Sequence, residues 1–270
     1  MADPAYVLGH SERELERLRT QARLIEPITR GFLLEAGIAP GMRVLDFGSG
    51  AGDVAFLAAD IVGPEGEVTG IDRVATAVAA ANAAARTRGL KNVSFREGDV
   101  ARVTFERPFD AVIGRYVLLY QADASATLRA LCRHLRPGAV VAFHEPDWRA
   151  ARSSPRAPTY DNCWNWLQER FRRAGTDGNM ADRLYGIFAR AGLTPTMRMQ
   201  TFIAGGAATH PMIDALAYLI ANLAPPLEEL GIEGTAPADA ETLATRMKEE
   251  VAAVDAMVIG RSEIGAWATL

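Results

Sequence analysis

The stretch from Arg43 to Asp53, RVLDFGSGAGD, opens as a strand and ends in a turn that holds Gly48, Gly50 and Gly52. Glycine admits backbone angles closed to other residues and lets a ligand approach the main chain closely. Such a turn can cradle a dinucleotide pyrophosphate, a phosphate, or a group without phosphate. Two carboxylates, Asp46 and Asp53, flank this copy. The dinucleotide pattern needs its third glycine three residues after the second, and that position is Asp53. Asp46 stands two residues before Gly48, where its charge would repel a pyrophosphate. A zwitterionic amino-acid end suits the turn better: backbone N–H groups and a helix N-terminus meet its carboxylate, while acidic neighbours favour its ammonium.

Acidic residues further on extend the ligand. Asp72 ends the next strand, about 20 residues past the turn, where an acidic side chain accepts hydrogen bonds from ribose hydroxyls. In the segment GDV, Asp99 is placed to accept from an exocyclic adenine amine, and Val100 offers its backbone N–H to the ring. The ligand so described has an amino-acid end, a ribose and an adenine, with no phosphate, which is S-adenosylmethionine.

Methyl transfer from a sulfonium is an in-line displacement, so much of its acceleration comes from holding the two reactants in line. A phenol or carbon acid as acceptor would add the need for a His, Glu or Asp to take a proton. Strand four offers Arg115, Tyr116 and Tyr120 at its end; strand five offers His144, Glu145 and Asp147. His144, Glu145 and Tyr116 are the catalytic candidates. Neighbours on a strand point to opposite faces, so only one of His144 and Glu145 readily enters the site unless the chain turns at Pro146; the plainer role for either is to anchor a loop. His10 is a further candidate base, with a surface position as its plainer role. His134 reads as solvated and His210 as part of a capping turn. Glu145 with Asp147 lacks the additional Asp or Asn ligands a metal would need, and no metal is expected.

The elements that position these residues follow from periodicity. Ser11 and Glu14 form a capping box ahead of an amphipathic helix over 11–26, which Pro27 kinks or restarts before the pattern runs on to Ala36. From Arg43, strands RVLDFG, EVTGID, VSFREGD, FDAVIGRY and AVVAFHE alternate with helices over 52–62, 74–88 and 123–135. Strands alternating with helices predict a doubly wound α/β sheet with parallel pairing. After Glu145 come a loop, helices near 159–174 and 179–191, a strand in TPTMRMQTFIAGG, a mostly helical 210–256 and a last strand in AMVIGRSEIGAWATL. Lying between two strands, 210–256 reads as a lid. Trp148, Trp164, Trp166, Phe171 and Tyr185 cluster after strand five, either as core or as the wall of a flat apolar acceptor's pocket.

The chain resembles the class I S-adenosylmethionine-dependent methyltransferases. VLDFGSGAG matches the family's first motif; GIDRV, EGDV, FDAVIGRYVLLY and LRPGAVVAFHE match the later strand ends, so the likeness covers roughly residues 40–147. YVLGHSERELERLRTQ is similar to the N-terminal caps of the ubiquinone-biosynthesis-like subgroup, in the branch acting on small molecules. The resemblance implies a Rossmann-like doubly wound sheet of seven strands with an N-terminal helical cap and helical lid insertions. It divides the chain into a cap (1–36), a cofactor-binding core (37–147), and a cover with the last strands (148–270). By position, Asp46, Gly48 and Gly50 would hold the methionine end, Asp72 the ribose with Arg73 beside it, and Asp99 with Val100 the adenine. Arg115 and Tyr116 would lie near the methionyl and sulfonium region, with Tyr6 and Gln21 closing the site from the cap. The Asn/Asp-Pro-Pro-Tyr element of amide and adenine amino acceptors is absent, GRYV standing in its place.

Composition sets the remaining bounds. The 270 residues, 49% hydrophobic, suffice for one sizeable core with a helical cover. A net charge of −4 lacks the basic footprint of a nucleic-acid binder. Two cysteines, Cys132 and Cys163, are too few for a disulfide framework, a zinc site or an arsenite methyltransferase, and they fit a reducing compartment. A charged N-terminus without an apolar signal core, and no run near the ~18 apolar residues of a span, predict a cytoplasmic protein with no membrane span. The acceptor is expected to be a small metabolite, methylated on O, C or N, and a homodimer is left open. Two other readings remain: a methyltransferase fold acting as lyase, cyclase or binding module, and a nucleotide-dependent oxidoreductase, which would need the missing third glycine.

Overall fold

The computed structural model describes residues 25–270 apart from positions 101, 177 and 235. Among the described residues, eight strands form one sheet: β1 (Arg43–Phe47), β2 (Glu67–Asp72), β3 (Val93–Glu97), β4 (Phe109–Arg115), β5 (Leu135–Asp147), β6 (Arg152–Ser154), β7 (Thr196–Gly205) and β8 (Met257–Thr269). The order is β3-β2-β1-β4-β5-β8, with the short β6 also on β8 and β7 along the other edge of β8. Strands β1 to β5 pair in parallel and β8 runs antiparallel to β5, β6 and β7. The ends of β1, β2, β4 and β5 therefore gather Phe47, Asp72, Arg115 and His144 at one rim of the sheet.

The helices are α1 (25–35, helical from the first described residue and through Pro27), α2 (Asp53–Val62), α3 (Ala75–Thr87), α4 (Ala124–Cys132), α5 (Pro158–Arg173), α6 (Ala181–Arg190), α7 (His210–Leu223) and α8 (Ala240–Ala253). Alternation along the strands assigns the layers. Leu45, Val141 and Phe143 pack with α4 and α6, whereas Val44, Val140 and Ala142 pack with α2, α3 and Leu33 of α1. Buried on both faces, β1 and β4 read as near-continuous apolar runs, as covered parallel strands do. A third cluster joins Trp148, Tyr160 and Trp164 to the inner faces of α7 and α8, so the lid has its own core.

The sheet has one strand more than the seven expected. The extra strand is β6, in a stretch read as loop, because Arg152–Ser154 carries no apolar pattern. Pairing with β8 holds it, and Asp161 accepts from both the backbone N–H and the hydroxyl of Ser153 at 2.7 and 2.9 Å. The alternation of strands and helices otherwise follows the sequence, including the helical lid between β7 and β8. Among the described residues, no helix is long and apolar enough to cross a membrane.

Candidate active site

The glycine turn joins β1 to α2. Gly48 has φ +71°, and a Cβ there would lie 2.4 Å from Cγ2 of Val117, so the turn closes against the β4 end only without a side chain. Gly50 has φ +50° and faces open space. Its N–H donates to Oδ2 of Asp72 at 2.8 Å, and Val74 N–H donates to Oδ1 at 2.9 Å. Asp72 thus ties the turn to the tip of β2 and retains lone pairs for a further donor.

Asp46 is 1% exposed, and its Oδ2 has no hydrogen-bond partner; the same holds for the buried Ser49 Oγ. Burial pushes the Asp46 carboxyl up to about 7, with Asp72 and Asp53 adding to the rise and Arg115 opposing it. An unpaired buried carboxylate is costly. A cationic donor such as an ammonium would relieve it, so the residues here fit the amino-acid end of S-adenosylmethionine. Across the rim, Arg73 pairs with Asp99 at 3.4 Å. Val100 is buried against the α4 side of the sheet, and its carbonyl lies 3.3 Å from Nε2 of His134, whose ring also stacks edge-on with Phe105. His134 is therefore a packed residue rather than a merely solvated one.

A second polar group lies where the ends of β4 and β5 meet the middle of β8. Tyr116, at φ +54°, donates its hydroxyl to Oε2 of Glu263 at 2.6 Å and accepts from Nη2 of Arg261 at 2.9 Å. Nε2 of His144 sits 2.9 Å from the same Oε2, and Nδ1 lies 3.0 Å from Oγ1 of Thr29 on α1. Arg115 donates to that Oγ1 at 3.2 Å. Burial alone would raise the Glu263 carboxyl, yet Arg261, His144 and Tyr116 together hold it at about 2. Burial lowers the His144 pKa, only partly opposed by Glu263, and keeps the ring neutral. With Glu263 ionised, the pairing assigns the proton to Nε2 and leaves the Nδ1 lone pair facing Thr29 Oγ1, whose one proton lies between Nδ1 at 3.0 Å and the Ile25 carbonyl at 3.2 Å.

Glu145 takes the plainer of the two roles the sequence allowed it, that of a loop anchor rather than a catalytic group. It points to the face opposite His144, is fully buried, and accepts from the backbone N–H groups of Val117, Leu118 and Leu119 at 2.9, 2.7 and 3.4 Å. Burial raises its carboxyl to about 7 against those three donors. It anchors the short helical turn Leu118–Tyr120 after β4. Asp147 is likewise engaged, by Arg149 at 2.7 Å and by the backbone of Ala181. The aromatic cluster is core: Trp148 meets Phe171 edge-on at 4.7 Å, while Tyr185 is 60% exposed on α6 and does not join it. Tyr6, Gln21 and His10 lie outside the described residues.

Sequence reading missed Glu263, Arg261 and Thr29. A signal for two of them was available: Arg261 and Glu263 are the charged residues of the apolar strand MVIGRSEIGAW, spaced by two and so on one face. That face meets α1, where Gly265 leaves room for Phe32.

Fold and cradle together have the form of the class I S-adenosylmethionine-dependent methyltransferases. A family profile described as "Methyltransferase domain" matches residues 38–192, more than half of the chain, and the chain belongs to that family. It is 30% identical over 203 residues to an arsenite methyltransferase of Aquipseudomonas alcaligenes, covering 60% of this chain and 59% of that one. It is 39% identical over 111 residues to the aklanonic acid methyltransferase DauC of Streptomyces sp. strain C5, covering 41% and 50%. The chain thus spans about half the length of these curated relatives. Among solved structures, geranyl diphosphate methyltransferase in complex with S-adenosylmethionine shares the fold, with a TM-score of 0.55 over 98% of this chain and 95% of that one at 17% identity.

Proposed function

We propose that this protein transfers the methyl group of S-adenosylmethionine to a small apolar or aromatic metabolite. The observation that carries this reading is the buried, unpartnered Oδ2 of Asp46 beside the open backbone of Gly50. In this assignment Asp46 receives the ammonium, and Gly48 and Gly50 border the methionine end. Asp72 takes the ribose with Arg73 alongside, Asp99 and Val100 take the adenine, and Arg115 lies by the methionyl group. His144 and Tyr116 are the residues nearest the chemistry. The cofactor supplies the electrophilic methyl; the chain contributes orientation, worth up to ~7–11 kcal/mol in favourable cases.

Arsenite, the acceptor in one relative's name, is not carried over. Cys132 packs by the α4 core and Cys163 is fully buried in the lid core, where burial pushes its thiol up to about 12. Neither is poised as a thiolate. Two free cysteines fit a reducing, cytoplasmic setting, and a net charge of −4 offers no footprint for nucleic acid.

Calorimetry with S-adenosylhomocysteine tests the cofactor assignment, and labelled methyl transfer to menadiol, as a flat hydroxylated probe, tests the acceptor class. Saturable binding with label in the quinol product supports the proposal. Absence of any S-adenosylhomocysteine binding would overturn it.

A further inference from the structure

We propose that Glu263 is a positioning residue that fixes the proton-accepting atom of this site at Nδ1 of His144. The inference rests on the methyltransferase reading and narrows its acceptor to one that gives up a proton, a phenol or an enol. Three other polar candidates are committed elsewhere. Glu145 is bound by three backbone N–H groups, Asp147 by Arg149, and the Tyr116 hydroxyl spends its proton on Glu263.

Both oxygens of Glu263 are engaged. Oε1 accepts from Nε of Arg261 at 2.8 Å, and Oε2 accepts from Tyr116 at 2.6 Å and from His144 at 2.9 Å. The groups facing His144 are Glu263 and Arg261 from β8, Arg115 and Tyr116 from β4, and the non-titrating Thr29 and Phe32 from α1. Glu263 is the sole anion among them. A carboxylate on Nε2–H leaves the Nδ1 lone pair toward Thr29, the arrangement that lets an imidazole take a proton and rest the resulting cation against a fixed carboxylate. Thr29 Oγ1 connects this ring to Arg115 and hence to the β4 tip. An acceptor hydroxyl gives its proton to Thr29 Oγ1 as Thr29 passes its own, shared at rest with the Ile25 carbonyl, to Nδ1. The electron pair stays on the acceptor oxygen, and the imidazolium lies against Glu263.

The test is the histidine tautomer, read by long-range proton–nitrogen correlation on protein labelled with nitrogen-15 histidine, in the presence of S-adenosylhomocysteine. His144→Asn assigns the signal among the four histidines. The unmutated protein is expected to show neutral His144 protonated on Nε2. In Glu263→Gln the carbonyl must stay on Arg261, so the amide donates toward His144 Nε2, and the Nε2–H signature is lost in favour of Nδ1–H. Glu263→Asp restores it. Observation of Nδ1–H in the unmutated protein, or an unchanged tautomer in Glu263→Gln, overturns the proposal. If Glu263→Gln does not fold, the unmutated spectrum decides alone. Bound S-adenosylhomocysteine with the wrong tautomer sinks only this inference, whereas failure to bind sinks the functional reading beneath it.

Discussion

Asp46 and Glu263 are two carboxylates at one rim of one sheet, each 1% exposed, and they sit at opposite electrostatic extremes. Asp46 has an oxygen without a partner and a carboxyl raised to about 7; Glu263 has both oxygens engaged, an arginine alongside, and a carboxyl held at about 2. Burial is the same, so the difference lies in the partners. An incomplete set marks a place where a ligand completes the bonding, and a complete set marks a place where the protein holds its own groups still. On the proposed function, the rim therefore divides into a binding half, at β1 and β2, and a positioning half, at β5 and β8.

Removing the carboxylate from the positioning half is the severest way to break this division. Glu263→Leu leaves Arg261 buried beside an apolar chain and strips Tyr116 and His144 of a shared acceptor. Losing one partner of a buried pair costs about 3–5 kcal/mol, and urea unfolding should register a loss of that size. A loss under about 1 kcal/mol would mean that the cluster is loose and the contrast with Asp46 is empty.

The binding half is tested next, through pH. If the ammonium needs Asp46 ionised, affinity for S-adenosylhomocysteine falls roughly tenfold per pH unit below about 7. Asp46→Asn should bind weakly at every pH and lose that slope. The free protein follows the same linkage. Asp46 is raised from 3.8 and Glu145 from 4.5, each to about 7, so both bind more protons folded than unfolded. Their contribution is present below pH 4 and is lost as pH rises toward 7. Glu263 is depressed from 4.5 to about 2, so its contribution is present above 4.5 and is lost as pH falls toward 2. Thermal unfolding from pH 2 to 8 should therefore show its maximum on the acid side of neutrality. A flat cofactor-binding profile between pH 5 and 8 would remove Asp46 from the ligand.

Asp72 shares features of both halves, since it already accepts from Gly50 and Val74. Asp72→Ala removes a ribose acceptor and frees the turn, and S-adenosylhomocysteine binding should weaken by ~1–3 kcal/mol. Unaltered affinity in that variant would contradict the assignment.

Where the strand-end residues gather was legible in the sequence, and so were His144 and Tyr116 as candidates, but the partners that hold those two were not. Asp46, Gly48, Gly50, Asp72 and Asp99 follow strand ends at spacings that a parallel sheet imposes, so local pattern predicts where they gather. His144 and Glu145 lie on opposite faces, as alternation along a strand requires, but what each side chain bonds depended on what packs there. Glu145 meets three N–H groups of a turn that follows β4, and His144 meets a residue 119 positions later in the chain. Register between β5 and β8 makes that meeting, placing Glu263 opposite Pro146, and nothing local to either segment encodes it. The short β6 was missed for the same reason: its pairing partner, not its composition, makes it a strand.

The smallest expected effect divides the positioning half internally. Tyr116→Phe keeps the ring, its edge contact with His144 at 5.4 Å and its place beside Arg261, and removes only the hydroxyl. Glu263 then keeps Arg261 and His144, so no charge is left bare, and the loss of the hydroxyl's two hydrogen bonds, to Glu263 and from Arg261, should cost about 1–2 kcal/mol in unfolding experiments. Because Tyr116 sits at φ +54°, in a backbone region costly for a bulky residue, its side-chain contacts must help to hold that conformation. Ring contacts as the main holder predict that Tyr116→Phe stays near the low end and Tyr116→Ala costs well beyond it. Equal losses in the two variants would assign the anchoring to the hydroxyl, and with it a larger share of the cluster's rigidity to Glu263.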